Sequence, residues 1–278
     1  MTPDAVAALA PRPATEIPAS RAFLKRYVEL LSMLSSRTLK TRYRGSVLGV
    51  FWSLSNPLLM TAVYTLIFGT AFASYYGNSI FNYVFATFVG LATLNLFSQT
   101  TSQALGSVVN NGSLLNKVRL PISLFPMSFV ASNFFQFGIG ALPLLVLITL
   151  YKTHSILHVI ALVIPCTALL FAVIGFSFLT SALYVYFRDL PYMYEIVLFI
   201  VTMTSPIFYP LALVPAKIQP YLSINPLVFM VGSLRQIVLV PGSPDLIMAG
   251  KGLLTGIVYM AIGAIVFSSR RRDFMDLL

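Results

Sequence analysis

The chain has 278 residues, of which 58% are hydrophobic and 9% charged, whereas soluble domains carry about 25% charged residues. So few charges cannot cover a water-soluble fold of this size, and a soluble globular protein is excluded. The net charge of +10 does not mark a nucleic-acid binder, because the basic residues flank long uncharged runs instead of gathering on one face.

Residues 1–20 mix Pro and Ala with Asp4 and Glu16 and lack a basic start followed by a compact apolar core. They read as a disordered cytoplasmic leader without a cleavable signal peptide. Residues 21–44 carry seven basic side chains among nine large apolar ones. That density predicts an amphipathic helix lying in the cytoplasmic interface, its Lys and Arg reaching anionic headgroups; the plainer reading is a solvated topology signal.

Three stretches then follow without Asp, Glu, Lys or Arg: Gly45 to Asn116, Leu120 to Tyr151 and Thr153 to Phe187. Each is long enough for one or two membrane crossings at about 20 residues apiece, and none shows a polar face at helical spacing. The expected fold is therefore all-α, a polytopic membrane protein with six transmembrane helices near 47–72, 82–104, 122–150, 157–187, 191–211 and 247–267. Together they make one domain over 45–278. Between spans two and three, residues 108–119 are polar and suit one short cytoplasmic helix ended by Pro121. Between spans five and six, residues 205–244 hold seven of the seventeen prolines yet are too apolar for an ordinary loop. They predict two short re-entrant helices in the outer leaflet.

With six spans, both termini share a side. One set of connections then holds fourteen Lys and Arg and the other holds four, namely Lys152, Lys217, Arg235 and Lys251. The positive-inside rule makes the first set, and both termini, cytoplasmic.

Several chemistries are missing from the sequence. Gly250-Lys251-Gly252 lacks the spacing of a phosphate-binding loop, so any ATP and Mg must be bound by another chain. No charged residue falls near a bilayer midplane, Glu195 standing one turn into span five, which argues against an ion-coupled carrier. His154 and His158 lie in a short turn without a third ligand, so no metal site is expected. The lone Cys166 cannot form an internal disulfide. Without a nucleophile–base set or paired carboxylates, the chain reads as a non-enzyme.

Five ordered motifs carry a family resemblance. Arg42-Tyr43-Arg44-Gly45-Ser46 through Leu48-Gly49 to Trp52 and Pro57 resembles the first-span signature of the permease subunits of polysaccharide ABC exporters. Asn116-Lys117-Val118-Arg119-Leu120-Pro121 resembles that family's cytoplasmic segment and Phe187-Arg188-Asp189 its turn after span four. Ser205-Pro206-Ile207-Phe208-Tyr209 resembles the end of its span five, and Asn225-Pro226-Leu227 through Arg235 its outer helix. The resemblance implies a homodimer in a bacterial cytoplasmic membrane, joined to two copies of a separate ABC nucleotide-binding subunit. The implied cargo is a polysaccharide, such as an O-antigen or teichoic acid, on a polyprenyl-diphosphate lipid. It also implies that 108–119 is the coupling helix, with Leu114, Leu115, Asn116, Lys117 and Arg119 meeting the ATPase. Export of a small drug or lipid, or a proton-coupled lipid-linked sugar flippase, is the competing reading.

A hydrated glycan needs surfaces that bind sugar faces weakly, which aromatic rings supply. Trp52, Asn56, Met60, Tyr64, Phe68 and Phe72 recur every four residues along span one, a stripe that drifts about 40° per step. Tyr192, Tyr194, Phe199, Phe208 and Tyr209 in and after span five form a second candidate lining. At the inner mouth, Arg42, Tyr43 and Arg44 stand where a lipid diphosphate would arrive, and Arg suits phosphate. Asn95, Gln99 and Gln103 form a polar row suited to hydrogen bonding between helices.

Overall fold

The structure is a computed structural model that describes residues 19–115, 120–270 and 274. Within them every regular element is helical. In chain order these are α1 (Ala19–Arg42), α2 (Trp52–Phe72), α3 (Ile80–Leu105), the short α4 (Gly112–Leu115), α5 (Leu124–Ile139) and α6 (Ala141–Thr153). There follow α7 (Ile156–Ala161), α8 (Val163–Tyr186), α9 (Leu190–Thr204), the one-turn α10 (Gln219–Leu222), α11 (Pro226–Leu239) and α12 (Leu246–Arg270).

Four helical stretches are long and apolar enough to cross a membrane: Gly49–Tyr76, Ile80–Leu105, Ile156–Tyr186 and Leu246–Arg270. A fifth is reached if α5 and α6, bent by 41° at Gly140, count as one span. The helix at the predicted fifth crossing, 191–211, is shorter than a full span. Helix α9 stops at Thr204 after 15 residues, about 22 Å at 1.5 Å per residue, because Pro206 excludes helical backbone at the position before it. Within 205–244, where two short helices are expected, the chain forms a 3-10 turn at Leu211–Leu213, the single turn α10 and the fourteen-residue α11. The polar segment after α3 forms a 3-10 turn at Val109–Asn111 and then α4.

Helix α3 lies at the centre. Its Phe88, Val89 and Phe97 join Val130 of α5, Leu169 and Val173 of α8, and Met230 and Leu234 of α11 in one buried core. A smaller cluster gathers Val108, Leu115, Phe125, Val185, Phe267 and Phe274. Helices α8 and α12 meet through glycine: a methyl group on Gly175 would strike the Tyr259 carbonyl, and one on Gly263 the Gly175 carbonyl. Such backbone-to-backbone approach is how small residues join helices where the surrounding lipid is as apolar as the helices themselves.

Several buried threonine hydroxyls on these helices are paired within their own helix. Thr93, Thr100, Thr101 and Thr149 each donate to the carbonyl four residues earlier at 2.6–2.8 Å, so none requires a partner from outside. The connection from α1 to α2 turns through Gly45 at φ 77° and Gly49 at φ 50°, a left-handed backbone that glycine adopts without a Cβ penalty.

Candidate functional site

Pro57 sits inside α2 and has no N–H, so the Ser53 carbonyl one turn back lacks its helical donor. The Asn95 side chain of α3 donates to that carbonyl at 3.3 Å, tying the two helices at this level. Beside this tie a groove of ≈ 180 Å³ opens. Asn56, Met60 and Tyr64 of α2 form one wall, Leu91, Asn95 and Ser98 of α3 another, and Thr202, Ile207 and Phe208 the third. Around Pro57 and Asn95 the groove adjoins a pocket of ≈ 30 Å³ walled by Ser53, Gln99, Asn133 and Gln136. Neither space is lined by a charged side chain.

Aromatic rings close the groove at one end. Tyr64 stacks on Phe208 with centroids 5.1 Å apart and planes 9° from parallel. Phe68 lies 6.4 Å from Phe208 and 5.6 Å from Phe72, and Tyr209 stands edge-on to Phe208 at 5.3 Å. The two linings drawn from separate parts of the sequence thus meet at Tyr64, Phe68, Phe72, Phe208 and Tyr209. Asn56 and Met60 reach the groove, while Trp52, Tyr192 and Phe199 stand exposed on their helices outside the stack.

The turn carrying Phe208 is backbone without helical bonds, and side chains from α3 and α11 complete it. Asn225 caps α11 by accepting from the Leu227 N–H at 2.9 Å. Its amide also donates to the Val201 carbonyl at 2.9 Å and to the Ser205 hydroxyl at 2.8 Å, so one residue finishes both α9 and α11. Arg235 donates to the Ala86 carbonyl at 2.8 Å and to the carbonyls of Pro206 and Ile207. Tyr83, fully buried, donates to the Phe208 carbonyl at 2.9 Å. Room for the turn depends on Gly90, where a Cβ would come within 3.0 Å of Ile207 and 3.2 Å of the Arg235 guanidinium. The sequence places Arg235 at the end of the outer-helix motif and among four external charges, whereas its guanidinium is enclosed by backbone carbonyls.

Comparison with known proteins identifies this arrangement of helices. The model of a family described as ABC-2 type transporter matches residues 29–239, from the body of α1 to the end of α11. The chain belongs to that family. An O-antigen export system permease protein, RfbA, of Myxococcus xanthus is 29% identical over 255 residues, which span 91% of this chain and 96% of the relative. A protein of the same description from Klebsiella pneumoniae is 26% identical over 251 residues, 90% of this chain and 95% of the relative. The motif resemblance to polysaccharide exporter permeases agrees with both.

In this ABC-2 transporter the three residues expected at the inner mouth part company. Arg42 turns inward from the end of α1 and donates to Asn133 Oδ1 at 3.0 Å, to Gln136 Oε1 at 3.2 Å and to Gln103 Oε1. Tyr43 donates to the same Gln136 oxygen at 2.8 Å, and Asn133 donates to Gln103 at 2.9 Å. Arg44 points outward and shares a shallow depression with Arg37 and Lys40. A turn begins after Arg42, which sends neighbouring side chains to opposite sides. Tyr27 to Ser123, at 3.2 Å, and Ser35 to the Ser128 carbonyl, at 3.2 Å, hold the rest of α1 along α5.

Of the expected ATPase contacts, Leu115 is buried in the smaller core cluster of this ABC-2 chain. Asn116, Lys117 and Arg119, with the side chain of Leu114, lie outside the described residues.

Proposed function

We propose that this chain is the membrane-spanning subunit of an ATP-driven exporter that moves a polyprenyl-diphosphate-linked polysaccharide across the bacterial cytoplasmic membrane. The observation that carries this reading is the groove at α2, α3 and the turn after α9. Its lining combines aromatic rings, neutral polar groups and aliphatic side chains without charge, which suits a sugar chain better than an ion, and the relatives are named for O-antigen export.

In this reading α9 and the proline-rich turn after it together make the fifth of six crossings. Helix α1 lies in the cytoplasmic interface, and both termini are cytoplasmic. Arg44, Arg37 and Lys40 meet the lipid diphosphate, while Arg42 and Tyr43 hold α1 to the bundle. Two copies of the chain face each other through α2 and α9, whose outer sides carry bare apolar residues such as Leu66 and Phe199. The partner is a separate ABC nucleotide-binding chain, present twice, that binds ATP and Mg. Residues 108–119 couple to it, Leu115 anchoring the segment from below and Lys117 and Arg119 making the contact.

Purification of this chain with a candidate ATPase tests the reading. A stable complex is expected, whose ATP turnover in liposomes falls when Lys117→Glu and Arg119→Glu are introduced while both chains stay folded. No complex with any ATPase, and transport that instead follows a proton gradient, would overturn the exporter in favour of a flippase.

A further inference from the structure

The groove has a definite chemistry. Its polar groups are the amides of Asn56 and Asn95 and the hydroxyls of Ser98 and Thr202, all neutral. They lie beside Tyr64 and Phe208, whose rings stack 5.1 Å apart. Resting on the exporter reading above, we propose that this groove is a binding subsite for one uncharged pyranose unit of the transported chain.

The ligand class follows by matching surfaces. A pyranose has a rim of hydroxyls that both donate and accept, and faces of C–H groups that lie well on aromatic rings. Amides and hydroxyls also both donate and accept, so they can serve a rim presented in more than one orientation. Asn95, Ser98 and Thr202 already donate to the carbonyls of Ser53, Asn95 and Leu198, so their oxygens face the groove as acceptors for a hydroxyl rim, which a lipid tail has no donor to match. A uronate or phosphate would lose its hydration with no cation lining the groove to replace it. The size agrees: ≈ 180 Å³ is below the about 300–1,000 Å³ of sites for drug-sized ligands, and suits a single ring.

Two groups are left for the ligand. Asn56 is exposed and has no hydrogen-bond partner among the described residues. The Gln136 amide nitrogen is buried and unpaired, and its side chain walls the ≈ 30 Å³ pocket that adjoins the groove at Asn95. That pocket has room for about one water, which would join Gln136 to the polar end of the groove. Few hydrogen bonds and one aromatic wall make a weak site, as a chain that must keep moving requires.

Saturation-transfer NMR on the full chain in nanodiscs tests the assignment, with maltotriose as the neutral probe and trigalacturonate as its acidic counterpart. Transfer to the C–H protons of maltotriose is expected, with a severalfold weaker signal from trigalacturonate. Asn56→Leu and Ser98→Leu should each weaken maltotriose binding about tenfold, the loss of one hydrogen bond. Asn56 supports nothing else in the fold, so an unchanged thermal midpoint in that variant separates lost binding from lost structure. Equal signals from the two sugars, or binding unmoved in both variants, would overturn the subsite. The ATPase pairing experiment is run on the same nanodiscs. Pairing without maltotriose transfer removes the subsite and leaves the exporter; transfer without pairing keeps the subsite and removes the exporter.

Discussion

Arg42 and Arg235 both satisfy neutral oxygens. Arg42 collects side-chain amides from α3 and α5, and Arg235 collects backbone carbonyls of Ala86, Pro206 and Ile207. Only the planar fork of guanidinium reaches acceptors in several directions at once. Replacing Arg235→Met should therefore lower the thermal midpoint in detergent by several degrees, since each buried carbonyl left unpaired costs about 1–3 kcal/mol. Arg235→Lys should recover part of that loss. Midpoints equal to the parent in both variants would show the fork to be dispensable. The importance of both residues is legible in the sequence, because each sits in a recognisable motif. Their direction is not, since a one-dimensional charge count registers a cation without its partners. Arg42 reads as a phosphate ligand for the same reason that Arg235 reads as an outer surface charge.

Between elements, the contact of α8 with α12 depends on the missing side chains of Gly175, Gly256 and Gly263, each of which has backbone of the other helix where a Cβ would stand. Gly175→Ala must push the two helices apart, and a marked loss of thermal stability is expected. Gly138→Ala in α5 provides the comparison, because nothing lies within 4 Å of its added methyl. That change should be neutral or stabilising by up to about 1 kcal/mol through helix propensity. A similar fall in midpoint for both variants would refute the packing account. Hydropathy locates these helices well, but their limits depend on features it averages away. The 41° bend at Gly140 splits the predicted third span into α5 and α6. Pro206 ends α9 early although the apolar run continues to Leu211. The groove is least legible of all: Asn95 reads as a helix-to-helix contact, and only the missing donor of Pro57 explains which carbonyl it serves and why a space opens beside it.

At the scale of the whole molecule, the helices differ in how much of themselves they bury. Helix α3 is mostly buried, whereas α2 and α9 each bury little and display large apolar residues outward. Leu66, at 86% exposure, marks that open side. In a Cys166→Ser background, Leu66→Cys should form a disulfide-linked dimer in native membranes under mild oxidation, and the fully buried Leu145→Cys should not. Monomer alone from Leu66→Cys would mean that lipid, and not a second copy, covers α2. Class and family are evident from composition and five short motifs, because lipid as a solvent leaves few folds available. The bonds around Arg235 also bear on how the protein is made. Its partner Ala86 lies 149 residues earlier in the chain and is synthesised first, whereas the threonine hydroxyls of the spans need nothing beyond their own helix. If α3 failed to insert, the guanidinium would reach the bilayer without its acceptors, a defect costly enough to hold the nascent protein at the translocon or deliver it to a membrane protease. The bonds of this arginine are thus the part of the fold that depends on an earlier span being in place.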